Sequence, residues 1–177
     1  MPQRRPEDDP SVTTPHRLGR AAAEFYWAAR LVALSEDRNG QLIGVPAPVM
    51  YLIGHSMELA LKAFVVDQGV SPRAAKRFGH NLQKCLEEAK ALGLLNVLDF
   101  SELEEREFRL LDSIYSNKEL EYVFLGPRRL PNFARLEPLC EKLAFGIWRA
   151  VSRNHALDPL PMRLTRYKRM KSRADAG

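Results

Sequence analysis

Residues 51–82 constrain this chain more than any other stretch. Tyr51 to Gly69 reads as a helix that is apolar nearly all the way round, and such a helix belongs in a core. One narrow strip departs from that pattern. At about 100° per residue, Tyr51, His55, Glu58 and Lys62 fall within roughly 60° of one another on the helix surface. Unpaired buried charges are costly, so these four groups must pair among themselves, meet a partner from elsewhere in the chain, or hold a ligand. The strip is therefore the place to look for function.

The rest of the sequence supplies further helices. Thr14-Pro15 gives an N-cap followed by proline at the first helical position. Apolar residues from Leu18 to Ala33 then recur at helical spacing, so a first helix runs to about Asp37. The second begins near Pro46–Pro48 and stops at Gly69. Ser71-Pro72 opens a short helical turn that ends at Gly79, and a third helix fits Asn81 to Leu92. Ser101-Glu-Leu-Glu104 is a capping-box pattern leading a fourth helix over about 101–115. A last helix starts between Asn132 and Pro138 and runs to about Arg153. No segment alternates convincingly with period two; Tyr122–Leu125 is too short and isolated to build a sheet. The expected fold is all-α: an up-and-down helical bundle of about five helices with a short extra helix.

The 177 residues fit one domain with terminal extensions. Residues 1–14 are expected to be a disordered extension, 15–155 the helical domain, and 156–177 a basic tail. The net charge of +5 sits mainly in that tail. Arg163, Arg166, Lys168, Arg169, Lys171 and Arg173 face only Asp158 and Asp175 there, whereas residues 21–155 balance 17 basic against 17 acidic side chains. A basic isoelectric point is thus no argument for a nucleic-acid-binding face on the domain itself. Cys85 and Cys140 stand alone in helical patterns without CxxC spacing, so no metal site, disulfide framework or cofactor is expected. No signal-peptide core and no uninterrupted apolar run of about 18 residues is present, which predicts a cytoplasmic protein with no membrane partner.

Three stretches together resemble a known family. Gly-His-Ser-Met-Glu-Leu-Ala-Leu-Lys-Ala-Phe (54–64), Gly-His-Asn-Leu (79–82) and Tyr-Ser-Asn (115–117) are similar to bacterial HEPN-domain proteins (higher eukaryotes and prokaryotes nucleotide-binding). The resemblance spans about residues 20–155 and implies an up-and-down helical bundle. It also implies a homodimer, binding of RNA or nucleotide, and membership of a toxin–antitoxin, phage-defence or nucleotidyltransferase-associated system. Ribonucleases of the family share an Arg, four to six intervening residues and a His, and pair two such sites in a dimer for metal-independent cleavage. The match here is Arg149-Ala-Val-Ser-Arg-Asn-His155; it departs from the family at Ala150, where Asn, Asp or His is favoured. A second match, Arg73 to His80, crosses a loop.

Each candidate residue carries two readings. Glu58 and Lys62 are either an i, i+4 ion pair or a ligand site in which Lys62 holds a phosphate while Glu58 orients it or His55. His80 either caps the third helix or, with Asn81 and nearby N–H groups, binds an anion at that helix N-terminus. His55 is a satisfied core histidine or one oriented by Glu58 for chemistry. Arg149 and His155 are a solvated last turn, or the charge stabiliser and acid–base group of an endoribonuclease acting on a 2′-hydroxyl. Tyr115, Asn117 and Tyr122 either end the fourth helix or reach the strip as hydrogen-bond donors. Arg128, Arg129 and the tail are solvated charges or non-specific phosphate contacts. The function expected first is RNA or nucleotide binding through His55, Glu58, Lys62, His80 and Asn117. Endoribonuclease activity through Arg149 and His155 stands as an alternative. So does a non-catalytic module partnering a nucleotidyltransferase.

Overall fold

The computed structural model describes residues 13–37, 47–120 and 130–153. His155, Tyr122, Arg128, Arg129 and the expected tail lie outside the described residues, as does most of the expected N-terminal extension. Six α-helices follow in order: α1 (Pro15–Asp37), α2 (Ala47–Asp67), α3 (Pro72–Lys76), α4 (Leu82–Ala91), α5 (Glu102–Tyr115) and α6 (Phe133–Val151). A 3-10 turn, Leu94–Asn96, links α4 to α5. There is no strand among the described residues, and the chain is an all-α helical bundle.

The helix starts follow from local chemistry. Ser71 accepts the Ala74 N–H, and Asn81 accepts the Lys84 N–H at 2.7 Å. Ser101 and Glu104 form both halves of a capping box. Gly69 and Gly93 stand just past α2 and α4 in the left-handed region, at φ 96° and 92°. At α6 the helix begins at Phe133, with Pro138 inside it rather than at its start. The lost N–H falls in the second turn, where it removes one bond to the carbonyl four residues back.

Helix α2 is the axis of the bundle and packs on all five other helices. By length and composition it is apolar enough to cross a membrane, yet twelve of its residues are buried inside the protein. Contacts fix the directions of its neighbours. His16 meets Ser152 and Arg30 meets Glu137, so α1 and α6 are antiparallel. Glu104 meets Lys142 and Glu107 meets Arg135, so α5 and α6 are antiparallel too. Lys90 against Glu105 and Leu82 against Asp112 give the same relation for α4 and α5.

The core runs along α2 through Ile53, Met57 and Leu61, with Tyr26 from α1, Phe108 and Leu111 from α5, and Leu136, Leu139 and Leu143 from α6. Burying each such large apolar side chain contributes about 1.5–3 kcal/mol. Ser56 is buried among them, its hydroxyl donating to the Ala22 carbonyl at 2.7 Å. Two acids on α5, buried Glu107 and half-buried Asp112, sit at the starts of other helices. Glu107 accepts the Asn132 N–H at 2.7 Å at the head of α6, and Asp112 accepts the Leu82 N–H at 2.8 Å at the head of α4.

Candidate functional site

The polar strip of α2 faces the C-terminal end of α5 and the linker between α3 and α4. Glu58 is its centre and is 3% exposed. One carboxylate oxygen accepts from Lys62 Nζ at 2.5 Å. The other accepts from the Tyr115 hydroxyl at 2.6 Å and from His80 Nδ1 at 2.9 Å. Lys62 Nζ also donates to the Gly79 carbonyl at 2.8 Å. The His55 ring lies beyond Tyr115, with Nδ1 3.2 Å from the phenolic oxygen and 3.8 Å from Glu58. Tyr51 completes the row, its ring centre 6.2 Å from that of His55 and 5.7 Å from that of Tyr115. From α1, Phe25 meets His55 edge-on at 4.4 Å.

Sequence periodicity therefore places Tyr51, His55, Glu58 and Lys62 together, and the fold brings His80 and Tyr115 to them. Asn117 does not join. It is exposed, and its amide donates to the Ser113 carbonyl at 2.8 Å, closing an otherwise open group at the end of α5. Its expected place in the strip is corrected on that ground. The N-terminus of α4 is likewise not open to an external anion. Leu82 N–H is taken by Asp112 and Lys84 N–H by Asn81, so the protein supplies the negative charge itself. Arg149 lies exposed on the last turn of α6 and Arg73 is exposed on α3; neither belongs to the cluster.

Three contributors escaped the sequence reading. Asp112 accepts the Leu82 N–H, and the one hydroxyl proton of Ser116 is shared between Asp112 and the His80 carbonyl, 2.8 Å away. The backbone of His80 is thus pinned from α5 while its ring is pinned from α2. The i, i+4 spacing of Asp112 and Ser116 was the available signal. Gly54 is the second: a methyl there would stand 2.4 Å from the Tyr115 ring, so only glycine lets the ring reach Glu58. Phe25 is the third, hidden among ordinary apolar positions of α1.

The protonation pattern follows from the partners. Burial would raise the Glu58 carboxyl's pKa, but His55, the Lys62 charge and the hydrogen bonds of Lys62 and Tyr115 outweigh it and hold the group well below the usual carboxylate range. Tyr115 is pushed upward, first by burial and then by the charge and hydrogen bond of Glu58, so it remains a donor. An ionised Glu58 has no proton to offer. His80 must donate to it through Nδ1–H, and His55 must donate Nδ1–H to the Tyr115 oxygen. Nε2 therefore lies on the far side of each ring, where neither has a partner among the described residues. His80 is 40% exposed along its side chain and Lys62 only 12%.

This carboxylate–imidazole arrangement fixes the tautomer and orientation of the His80 ring, as such pairs do in acid–base sites. Among the described residues no group of three His, Cys, Asp or Glu side chains is placed to hold a metal ion. Compared with protein-family models, with curated proteins and with solved structures, the chain matches none. Fold and site together define an all-α bundle with a buried, carboxylate-centred polar cluster that opens to solvent at His80.

Proposed function

We propose that this chain is a HEPN-type helical protein that binds the phosphate of RNA or of a nucleotide at the outer edge of the Glu58 cluster. One observation carries the reading: His80 is held through Nδ1 by a carboxylate that is 3% exposed, while its own side chain is 40% exposed and its Nε2 has no partner among the described residues. Glu58 and Tyr115 position the ring, and Lys62 fixes the loop behind it through Gly79. Phosphate oxygens accept from groups of this kind without requiring a metal. The resemblance in residues 54–64, 79–82 and 115–117 supports RNA or nucleotide as the source of the phosphate.

Calorimetric titration with AMP and with hexauridylate tests this. The wild-type protein binds at least one of the two, and His80→Gln weakens that binding tenfold or more while the melting temperature stays within a few degrees. Unchanged affinity in His80→Gln refutes the reading, and a protein that binds neither probe removes it.

A second reading is a non-catalytic helical interaction module in which the cluster is a clasp. It is favoured by the saturation of Glu58, which accepts three hydrogen bonds, two of them tying α2 to α5 and to the α3–α4 linker. It expects a protein partner, such as a nucleotidyltransferase, to co-purify with the chain, and no phosphate binding. Homodimerisation, implied by the resemblance, belongs to both readings and is measured by sedimentation equilibrium. Endoribonuclease activity through Arg149 and His155 is a separate proposal, checked by metal-free cleavage of RNA that is lost in His155→Ala.

A further inference from the structure

The charges around His80 limit how any anion can be held there. From α2, Glu58 and Lys62 form a pair whose charges cancel, and Lys62 Nζ is already shared between Glu58 and the Gly79 carbonyl. From α5 come the Tyr115 hydroxyl, which donates to Glu58, and Asp112, which adds a negative charge at the head of α4. From α4 come buried Cys85, a thiol pushed up to about 12 by burial, and Lys84, whose Nζ stands 5.7 Å from the centre of the Phe78 ring. His55 lies on the far side of Tyr115. Arg73, Lys76 and Arg77 precede His80 in the chain on and just after exposed α3. With both imidazoles neutral, the groups hydrogen-bonded around His80 carry no net positive charge to offer.

We infer that anion binding at this cluster is coupled to uptake of one proton on His80 Nε2. This rests on the reading of the cluster as a phosphate site and states how that site is regulated. Nδ1–H is committed to Glu58, so the ring becomes cationic only by gaining a proton at its outer nitrogen. That step changes Nε2 from acceptor to donor and makes it the cluster's outward-facing charge. Glu58 then stabilises the imidazolium from behind, while an anion stabilises it from the front. By linkage, each stabilises the other: the anion raises the proton affinity of His80, and a lower pH raises affinity for the anion. Phosphate held at this edge is accordingly bound more tightly in mildly acidic solution than in alkaline solution.

Sulfate is the appropriate probe, because it is a dianion throughout the pH range in which imidazoles titrate. Side-chain carbon and proton resonances of His80, assigned by their loss in His80→Gln, are followed against pH in sodium sulfate and in sodium chloride of equal ionic strength. The expected result is a midpoint for His80 raised in sulfate by about 0.5 pH unit or more, which a threefold preference for the protonated form gives at saturation. His16, which bonds to Ser152 instead, is the internal control and shifts less. Equal displacement of His80 and His16, or none, overturns the inference. Because sulfate is neither RNA nor nucleotide, failure of AMP and hexauridylate to bind leaves this result readable on its own.

Discussion

Tyr115 lies directly against Gly54: a methyl group on Gly54 would stand 2.4 Å from ring carbon Cδ2 and 2.8 Å from Cε2. The glycine sits in the middle of α2, where it weakens the helix by roughly 0.5–1 kcal/mol relative to alanine. The fold accepts that cost because the ring must pass close to the α2 backbone to deliver its hydroxyl to Glu58. Gly54→Ala is therefore expected to destabilise the protein by about 1–3 kcal/mol despite its better helix propensity. Urea unfolding followed by circular dichroism measures it; a gain in stability would show that Tyr115 moves aside at no cost.

Tyr115→Phe keeps the packing and removes one oxygen. Glu58 then loses one of its three donors, and His55 loses the acceptor for Nδ1. A hydrogen bond to a buried charged group contributes about 1.5–3 kcal/mol, and a loss of that size is expected in the urea midpoint. The double variant with Gly54→Ala should lose less than the sum of the two, because both changes act on the same ring. Full additivity would mean that the two residues are energetically separate.

Asp112 joins three pieces of backbone: it accepts the first N–H of α4 and, through Ser116, holds the His80 carbonyl. Asp112→Ala is expected to cost about 1–3 kcal/mol, since it leaves a partly buried N–H without its acceptor. Asp112→Asn keeps an acceptor and loses the charge facing the helix dipole, so it should cost less, about 0.3–1 kcal/mol. Amide hydrogen exchange gives the local readout: Leu82 and the first turn of α4 exchange faster in Asp112→Ala, while α6 is unaffected. Uniform acceleration across all helices would place the effect in global stability alone.

The helices were legible because their signals are local. Ser71, Ser101 and Gly69 act within a few residues of themselves, and the sequence shows them as caps and stops; at α4 the cap is Asn81, where the sequence offered His80. The strip was legible for the same reason, since 3.6-residue periodicity alone places Tyr51, His55, Glu58 and Lys62 on one side. What periodicity does not encode is the partner across the gap. Asp112 reads as a solvated acid on an amphipathic helix until the head of α4 is brought beside it. Gly54 reads as an interruption of an apolar run until a ring from α5 fills the space. Asn117 misled in the opposite sense: its neighbours in the sequence turn inward while its own amide serves the last carbonyls of α5. The last helix was expected to start between Asn132 and Pro138; it starts at the early end of that range, at Phe133, where the Asn132 N–H is anchored by Glu107.

The two cysteines give a test of how tightly the bundle closes. Cys85 and Cys140 are buried, and burial pushes each thiol up to about 12. Only the thiolate reacts with disulfide reagents. At pH 8 the native protein should react with Ellman's reagent far more slowly than the urea-unfolded chain, which should yield two thiols per molecule. Rapid reaction of one thiol in the native protein would reveal an opening of the α2–α4 or α2–α6 packing.

Glu58 sets the behaviour in acid. Its folded pKa is depressed, so the group contributes stability that is fully present above its unfolded value, about 4.3, and is lost as pH falls through the folded value. Below about pH 4 the unfolded chain binds a proton that the folded cluster refuses, and stability falls with each step downward. Glu104 and Glu105 are depressed in the same direction, Glu104 by Lys142 and Ser101 against its own burial, and Glu105 first by Lys90. They are more exposed and more screened by salt, so their share is smaller. Glu58→Gln removes the buried charge and keeps one acceptor oxygen, for Lys62 or for Tyr115 and His80 but not for both sets of donors. The variant is expected to be less stable than the wild type at pH 7, with the difference shrinking as pH falls from 4 toward 2. Urea unfolding at fixed pH values across that range, in 0.5 M salt to suppress the surface pairs, measures both curves. If they stay parallel down to pH 2, the acid sensitivity arises elsewhere and Glu58 is not the depressed group.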